Sequence, residues 1–484
     1  MRMLLLFILS IALTPAARAS PPPFGEAIDG ALLSSTSPDT LRARLEAFAT
    51  GTTNHRQASQ ALYYRGLSFD RGAMPDSAIA SYRRANALGR NPGALSALID
   101  ALLRRRAEGD VADAIHLLEQ MREADEAGVE TVHFDPARLG WAYVLSGDAK
   151  RGVELLAPLE SRLANDPQWH YRLARAHMAA GNSTRATGYL AMLNTASRGQ
   201  DREVAAMIKR LDNALPTAHV AERVSQMLKA HDDDEIALLE RLGGRRLRLL
   251  ASDGAMVGGA VFADTTAKRE ARAAVVLASL GDELRDYDSL TVALRRSGFA
   301  VFLLDPRGSG WSVAPEFSLP DTWEGRQDAL AARVARDVHD AISALRRVAR
   351  VDTTRVLLIG VGSTAPIALN AAATDVRVAA MALLDPWTSP VDRGTTLQAA
   401  RRTQVPTFIH VSVPGREETV FVDTLFHSVP QRTSRLVESP AFSSGAAAFG
   451  SRPDVTPRFV RWLGETFSAR PSRRVIRPAT PRPG

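Results

Sequence analysis

The sequence predicts two domains in series: an all-α array of helical repeats over residues 37–241, and a C-terminal α/β domain over residues 245–468 with an eight-stranded, mostly parallel sheet. Three observations predict this. Glycine recurs as Gly72, Gly109, Gly147 and Gly181, at intervals of 37, 38 and 34, with small or apolar residues at matching offsets after each. From about residue 245 the pattern changes to short apolar runs separated by stretches long enough for helical crossovers, as parallel pairing requires. One such run leads into the segment RVLLIGVGSTAPIAL (355–369), which reads as a buried strand, a glycine-lined turn and a helix start.

The chain of 484 residues is long enough for two or three substantial cores. Its first nineteen residues have Arg2, an apolar run from Met3 to Leu13, and Ala17-Arg18-Ala19 before Ser20. This is the pattern of a secretory signal cleaved after Ala19, so the mature protein is expected to be exported, periplasmic or extracellular. There is no cysteine, which excludes disulfides and thiolate chemistry. The formal charge of +7 does not argue for nucleic acid. Arg2 and Arg18 lie in the signal, and Arg470, Arg473, Arg474, Arg477 and Arg482 lie in an acid-free tail, leaving residues 20–469 neutral. The Arg/Pro-rich tail, 469–484, cannot bury apolar surface and is expected to be disordered, in weak contact with an anionic surface at most.

Within the helical region, Gly66, Phe69, Gly72, Ala78, Tyr82 and Ala85 form a first unit closed by Pro92. Later units repeat the offsets as Ala114 and Leu118, Gly152 and Leu156, and Ala186 and Leu190, while Gly140 and Tyr143 repeat the first-helix pair. Small residues allow two antiparallel helices to approach closely, and larger ones fill the groove between units. Over residues 57–195 these positions resemble the tetratricopeptide (TPR) repeat family. The resemblance implies a concave surface for a protein or peptide partner, or an array that only supports the second domain. Helices at 38–49 and 201–241 are expected to cap it. Trp141, Trp169 and His170 read as core or groove residues, and no cofactor or metal site is predicted.

The second domain's strands are expected at 246–251, 257–263, 273–278, 299–304, 355–360, 378–384, 405–411 and 433–438. The first two flank a hairpin turn at Ser252-Asp253-Gly254. A helix at 325–349 carries Leu330, Val334, Val338, Ile342 and Leu345 on one face. With Asp305-Pro306-Arg307-Gly308-Ser309-Gly310 after the fourth strand and the 355–369 segment, the domain resembles the α/β-hydrolase superfamily over about 220 residues. A Rossmann-type domain fits less well, since Ser279-Leu280-Gly281-Asp282 lacks the G-x-G-x-x-G spacing.

The hydrolase resemblance implies a nucleophile after the fifth strand, then an acid, then a histidine after the eighth. The nucleophile position holds Gly362, and the nearest hydroxyl is Ser363, one residue late and expected to start the helix. Glycine adopts the strained backbone of that position without a Cβ clash. No histidine follows Glu438. His410 is expected inside the seventh strand and His427 between strands seven and eight. The acid position falls near Gly415, leaving Glu417, or Asp385 after strand six, as candidates that also read as surface carboxylates or a helix-start residue. No catalytic residue is therefore expected; Ser363, Asp385, His410, Glu417 and His427 are the weak candidates. A binding site is expected at Ser279, Leu280 and Gly281 with Gly362, Ser363 and Thr364, where turn and helix-start amides meet an anion. The sequence points to a non-catalytic binding or scaffolding protein of the cell envelope. The alternative is a serine esterase or peptidase using Ser363 with an unconventional base.

Overall fold

The structure is a computed structural model that describes residues 26–89, 91–129, 134–263, 270–318, 323–348, 350–412, 416–430, 432–439 and 445–468. The expected signal segment and the Arg/Pro tail lie outside the described residues.

Helices occupy the chain from Glu26 to Arg241. Four antiparallel pairs form where the repeat pattern lies: His55–Arg71 with Pro75–Leu88, Pro92–Arg105 with Asp110–Glu126, Pro136–Ser146 with Ala149–Leu156, and Pro167–Ala179 with Ser183–Ala196. Each recurring glycine falls in the turn of its own pair. Asn54, Asn91, Asp135 and Asp166 accept backbone N–H groups at the starts of the four first helices, which explains where those helices begin. In the third pair a Cβ on Gly152 would lie 2.7 Å from the carbonyl oxygen of Gly140, so only glycine permits that crossing. Two expectations change. The region 201–241 is two helices, Arg202–Ala214 and Val220–Arg241, because Pro216 and the left-handed His219 (φ +48°) interrupt it. A further helix, Glu26–Ser34, precedes the expected start of the array and buries Ile28 and Leu32.

The second domain contains β1 (Arg245–Leu250), β2 (Met256–Phe262), β3 (Ala271–Leu277), β4 (Phe299–Leu304), β5 (Val351–Val361), β6 (Val378–Leu384), β7 (Thr407–Ser412) and β8 (Arg435–Ser439). All eight expected runs are strands; β5 begins at Val351 rather than 355. Their order is β1-β2-β4-β3-β5-β6-β7-β8, antiparallel from β1 through β2 to β4 and parallel from β4 onward. That strand order is the α/β-hydrolase fold. The near-continuous apolar runs follow from burial on both faces. Val275 and Leu277 pack on one side with the helix Gln327–Val348, while Ala274 and Val276 pack on the other with Phe459 and Trp462. The five apolar residues expected on one face of the former helix are all buried.

Arg307, in the loop after β4, is 1% exposed. Its guanidinium donates to Asp253 in the β1–β2 turn (2.8 and 2.9 Å) and to Asp337 on the helix Gln327–Val348 (2.8 and 2.6 Å). The Asp-x-Arg-Gly segment is thus a structural bolt.

The array lies against the carboxyl ends of β4 and β6. Arg71 pairs with Asp392 at 2.6 Å and Arg104 with Glu324 at 3.2 Å. Arg198 donates to the carbonyl of Gly310 at 2.8 Å and lies over the ring of Trp311. Ser318 donates to Asp201 at 2.5 Å, and Val391 is buried among Ile28, Leu32 and Leu41. The helix Arg393–Arg402 brings Gly394 against the carbonyl of Ser35, where a Cβ would be 2.3 Å away. Carboxyl ends of parallel strands are where α/β folds place ligands, so the array covers part of that edge.

Candidate functional site

β5 ends at Val361, and Gly362–Thr364 makes a single 3-10 turn before the helix Ala365–Thr374. Ser363 therefore stands in the turn, two residues ahead of the helix it was expected to start. Gly362 has φ +56°, the left-handed geometry required of a nucleophile elbow but carrying no side chain. The space above it is partly taken. Ser279 Oγ lies 2.7 Å, and Ser279 Cβ 3.3 Å, from where a Cβ on residue 362 would stand. The hydroxyl of the loop after β3 thus sits directly beside residue 362.

Other hydrogen bonds fix that loop. Ser279 N–H donates to the Tyr287 hydroxyl at 2.8 Å, which donates to Asp282 at 2.6 Å. Burial pushes Asp282 up to about 6, and the same burial raises Tyr287. Leu280 packs partly buried against the core, and Gly281 has φ +82°. Thr364, expected among the binding residues, is fully buried. Its hydroxyl accepts Val361 N–H and lies 3.0 Å from Leu277 O and 2.8 Å from Val361 O. It pins the elbow to β3. Ser363 Oγ is buried without a hydrogen-bond partner among the described residues, so no described imidazole stands ready to take its proton.

Asp385, at the end of β6 in the left-handed region (φ +47°), is not the surface carboxylate expected. It accepts Ser412 N–H at 2.5 Å, the Ser412 hydroxyl at 3.0 Å, and the N–H of Gly445. These bonds tie the end of β7 and the segment after β8 to the end of β6. Gly445 (φ +57°) also faces the elbow, since a Cβ there would be 3.0 Å from the Val361 side chain. Gly445 thus touches both Asp385 and the elbow.

His410 fills the sheet, as expected of a strand residue. It is fully buried, and its Nε2 lies 2.6 Å from the Ser439 hydroxyl. Its Nδ1 is 3.8 Å from Asp385, beyond hydrogen-bond reach. Burial, opposed by the Asp385 charge, holds His410 below the usual imidazole range and so neutral. Ser439, His410 and Asp385 stand in the order nucleophile, base, acid across β8, β7 and β6. Ser439 is 2% exposed and His410 0%, so no substrate reaches them, and the set fastens strand ends. His427 is exposed on the helix Arg416–Ser428, bonded to its own turn through Asp423 O at 2.8 Å. Glu417 is on the same helix, and its side chain and Gly415 lie outside the described residues.

Ser412, Ser439 and Gly445 were not legible as site residues. Their roles come from the β7–β8 register, which pairs Ser412 with Ser439, and no local motif announces it. Trp387, whose backbone N–H donates to Gly362 O at 3.1 Å, is 41% exposed beside the elbow. No group of three or more His, Asp or Glu among the described residues could hold a metal.

No protein-family model matches this chain, and no curated sequence does. Solved structures do match it. One is a Pyrococcus furiosus esterase, 12% identical, covering 47% of this chain and 93% of that one at TM-score 0.36. Another is an α/β hydrolase from Penicillium sp. sh18, 15% identical over 47% of this chain and 99% of that one at TM-score 0.37. A 2,6-dihydroxy-pseudo-oxynicotine hydrolase covers 62% of this chain and 86% of its own at 13% identity and TM-score 0.37. Each is named an esterase or hydrolase, and at such identities and TM-scores the likeness carries no argument about this chain.

Proposed function

We propose that this chain is a non-catalytic binding protein on an α/β-hydrolase fold, exported to the periplasm or cell exterior, with a TPR-like array that engages a protein or peptide partner. One observation carries the reading. The nucleophile position is a glycine in elbow geometry, flanked by the Ser279 hydroxyl, while the hydroxyl next to it in the chain, Ser363, has no hydrogen-bond partner among the described residues. A triad needs three groups in contact. Here the acid, Asp385, bonds to backbone where an imidazole would stand.

The remaining features suit binding. The array covers part of the carboxyl edge of the sheet, beside the loops after β4 and β6, and Trp387 leaves an exposed aromatic residue at the elbow. The export reading rests on residues 1–19 and the partner reading on the repeats' concave side.

The purified mature chain, incubated with a fluorophosphonate probe and short-chain p-nitrophenyl esters, should show neither labelling nor turnover above a heat-treated control. Labelling that disappears in Ser363→Ala would establish the serine-hydrolase alternative and end this reading.

A further inference from the structure

Apart from the elbow, a cavity of about 300 Å³ opens between the first helices of successive repeats and the sheet domain. Its walls come from Pro92–Arg105, Pro136–Ser146, Pro167–Ala179 and the start of Arg202–Ala214, with Glu324 contributed by the sheet domain. Its charges are unevenly matched. Every carboxylate on the wall has a protein partner. Asp100 faces Arg138 at 3.2 Å, and Glu324 faces Arg104 at 3.2 Å. Asp201 accepts from Ser318 at 2.5 Å, and Glu203 accepts from the Tyr171 hydroxyl at 2.5 Å.

The guanidinium groups are not all so matched. Among the described residues Arg106 donates to the carbonyl of Leu103, and neither it nor Arg172 forms an ion pair within 4 Å, although the Arg172 charge reaches Asp100, which is already held by Arg138. Arg175, on the same helix as Arg172, donates to the Tyr171 hydroxyl at 3.1 Å, which in turn donates to Glu203, and forms no ion pair within 4 Å among the described residues. All three lie 5.9 Å from the ring centroid of Trp141, and Arg172 also lies 4.7 Å from that of Trp169. Arg106 and Arg172 both line the cavity beside Trp141, and an oxyanion there would accept charge-assisted bonds from guanidinium groups that form no ion pair of their own. The cavity has the size of a small-ligand site and exceeds what an inorganic ion fills.

We propose that this junction cavity binds a small organic oxyanion, a carboxylate or phosphate ester with an apolar or aromatic body, held by Arg106 and Arg172 beside Trp141. Glu324 and the Ser318–Asp201 bond close the groove on the sheet-domain side, which favours a small molecule over a polypeptide lying through it. The assignment is independent of whether the elbow is catalytic.

Phenyl phosphate, benzoate and inorganic phosphate titrated into the mature chain, followed by calorimetry and tryptophan fluorescence, provide the test. Saturable binding of phenyl phosphate or benzoate is expected, weakening with salt. It should fall about tenfold or more in Arg172→Gln and in Arg106→Gln and stay unchanged in Arg461→Gln, on the far C-terminal helix. Which of the two organic anions binds better separates phosphate from carboxylate chemistry. Any of four results would overturn the proposal: no binding at millimolar concentration, equal binding of benzyl alcohol, affinity untouched by both substitutions, or preference for an acidic hexapeptide. Thermal melts of the variants that match the parent exclude unfolding as the cause, and Arg106, outside the core, is the safer variant.

Discussion

Replacing Gly362 with alanine tests the geometry on which the functional reading depends. At φ +56° an L-residue costs about 1–2 kcal/mol relative to glycine. The added Cβ would also stand 2.7 Å from Ser279 Oγ and 3.3 Å from Ser279 Cβ, so Ser279 must leave its rotamer, at about 0.5–1.5 kcal/mol. Gly362→Ala should therefore lose about 2–3 kcal/mol in urea unfolding of the sheet domain. Ser279→Ala alone removes an Oγ with no hydrogen bond to it among the described residues and should cost little. In the double variant the Oγ clash is gone while the backbone cost remains. The cycle should then show a favourable coupling of about 1 kcal/mol, within the usual range for residues in contact. Additivity within about 0.4 kcal/mol would mean that Ser279 does not stand beside the nucleophile position. A neutral Gly362→Ala would mean that the turn is not held in elbow geometry and that residue 362 does not occupy the nucleophile position.

Arg307→Met leaves Asp337, 2% exposed, as an uncompensated buried carboxylate and should cost about 3–5 kcal/mol; a loss below 1 kcal/mol would show that the loop after β4 is not bolted through Arg307. Burial, partly offset by the Trp311 N–H, pushes Asp305 up to about 7, against about 4 in an unfolded chain. The folded state thus holds a proton that the unfolded chain releases, so Asp305 lowers stability progressively as pH rises from about 4 to about 7. Asp305→Asn should match the parent at pH 4 and exceed it above pH 7, by up to about 4 kcal/mol for about three pKa units; equal unfolding curves at pH 8 would contradict the assignment.

The fold was legible because its signals are local. Runs of Val, Leu, Ile and Ala such as 273–278 and 378–384 can only be buried strands once helical stretches separate them, and each recurring glycine marks one helix turn. The helix Glu26–Ser34 escaped because half of its reason lies more than 300 residues away, in Val391 and Gly394, against which it packs. The same distinction divides the candidate site. The lack of a histidine after Glu438 was legible because it is a property of the sequence alone. What occupies the base's surroundings was not, because it is set by register between β6, β7 and β8. Asp385 shows why this matters physically. A carboxylate at the end of β6, largely withdrawn from water, must find donors. An imidazole would supply one, but here the N–H groups of Ser412 and Gly445 supply two and the Ser412 hydroxyl a third. With its acceptors so engaged, Asp385 has no need of a histidine, and His410 is free to bond Ser439 inside the sheet. The acid therefore holds together the edge on which a triad would stand, and its satisfied state is what makes the two glycines, Gly362 and Gly445, compatible with a stable elbow.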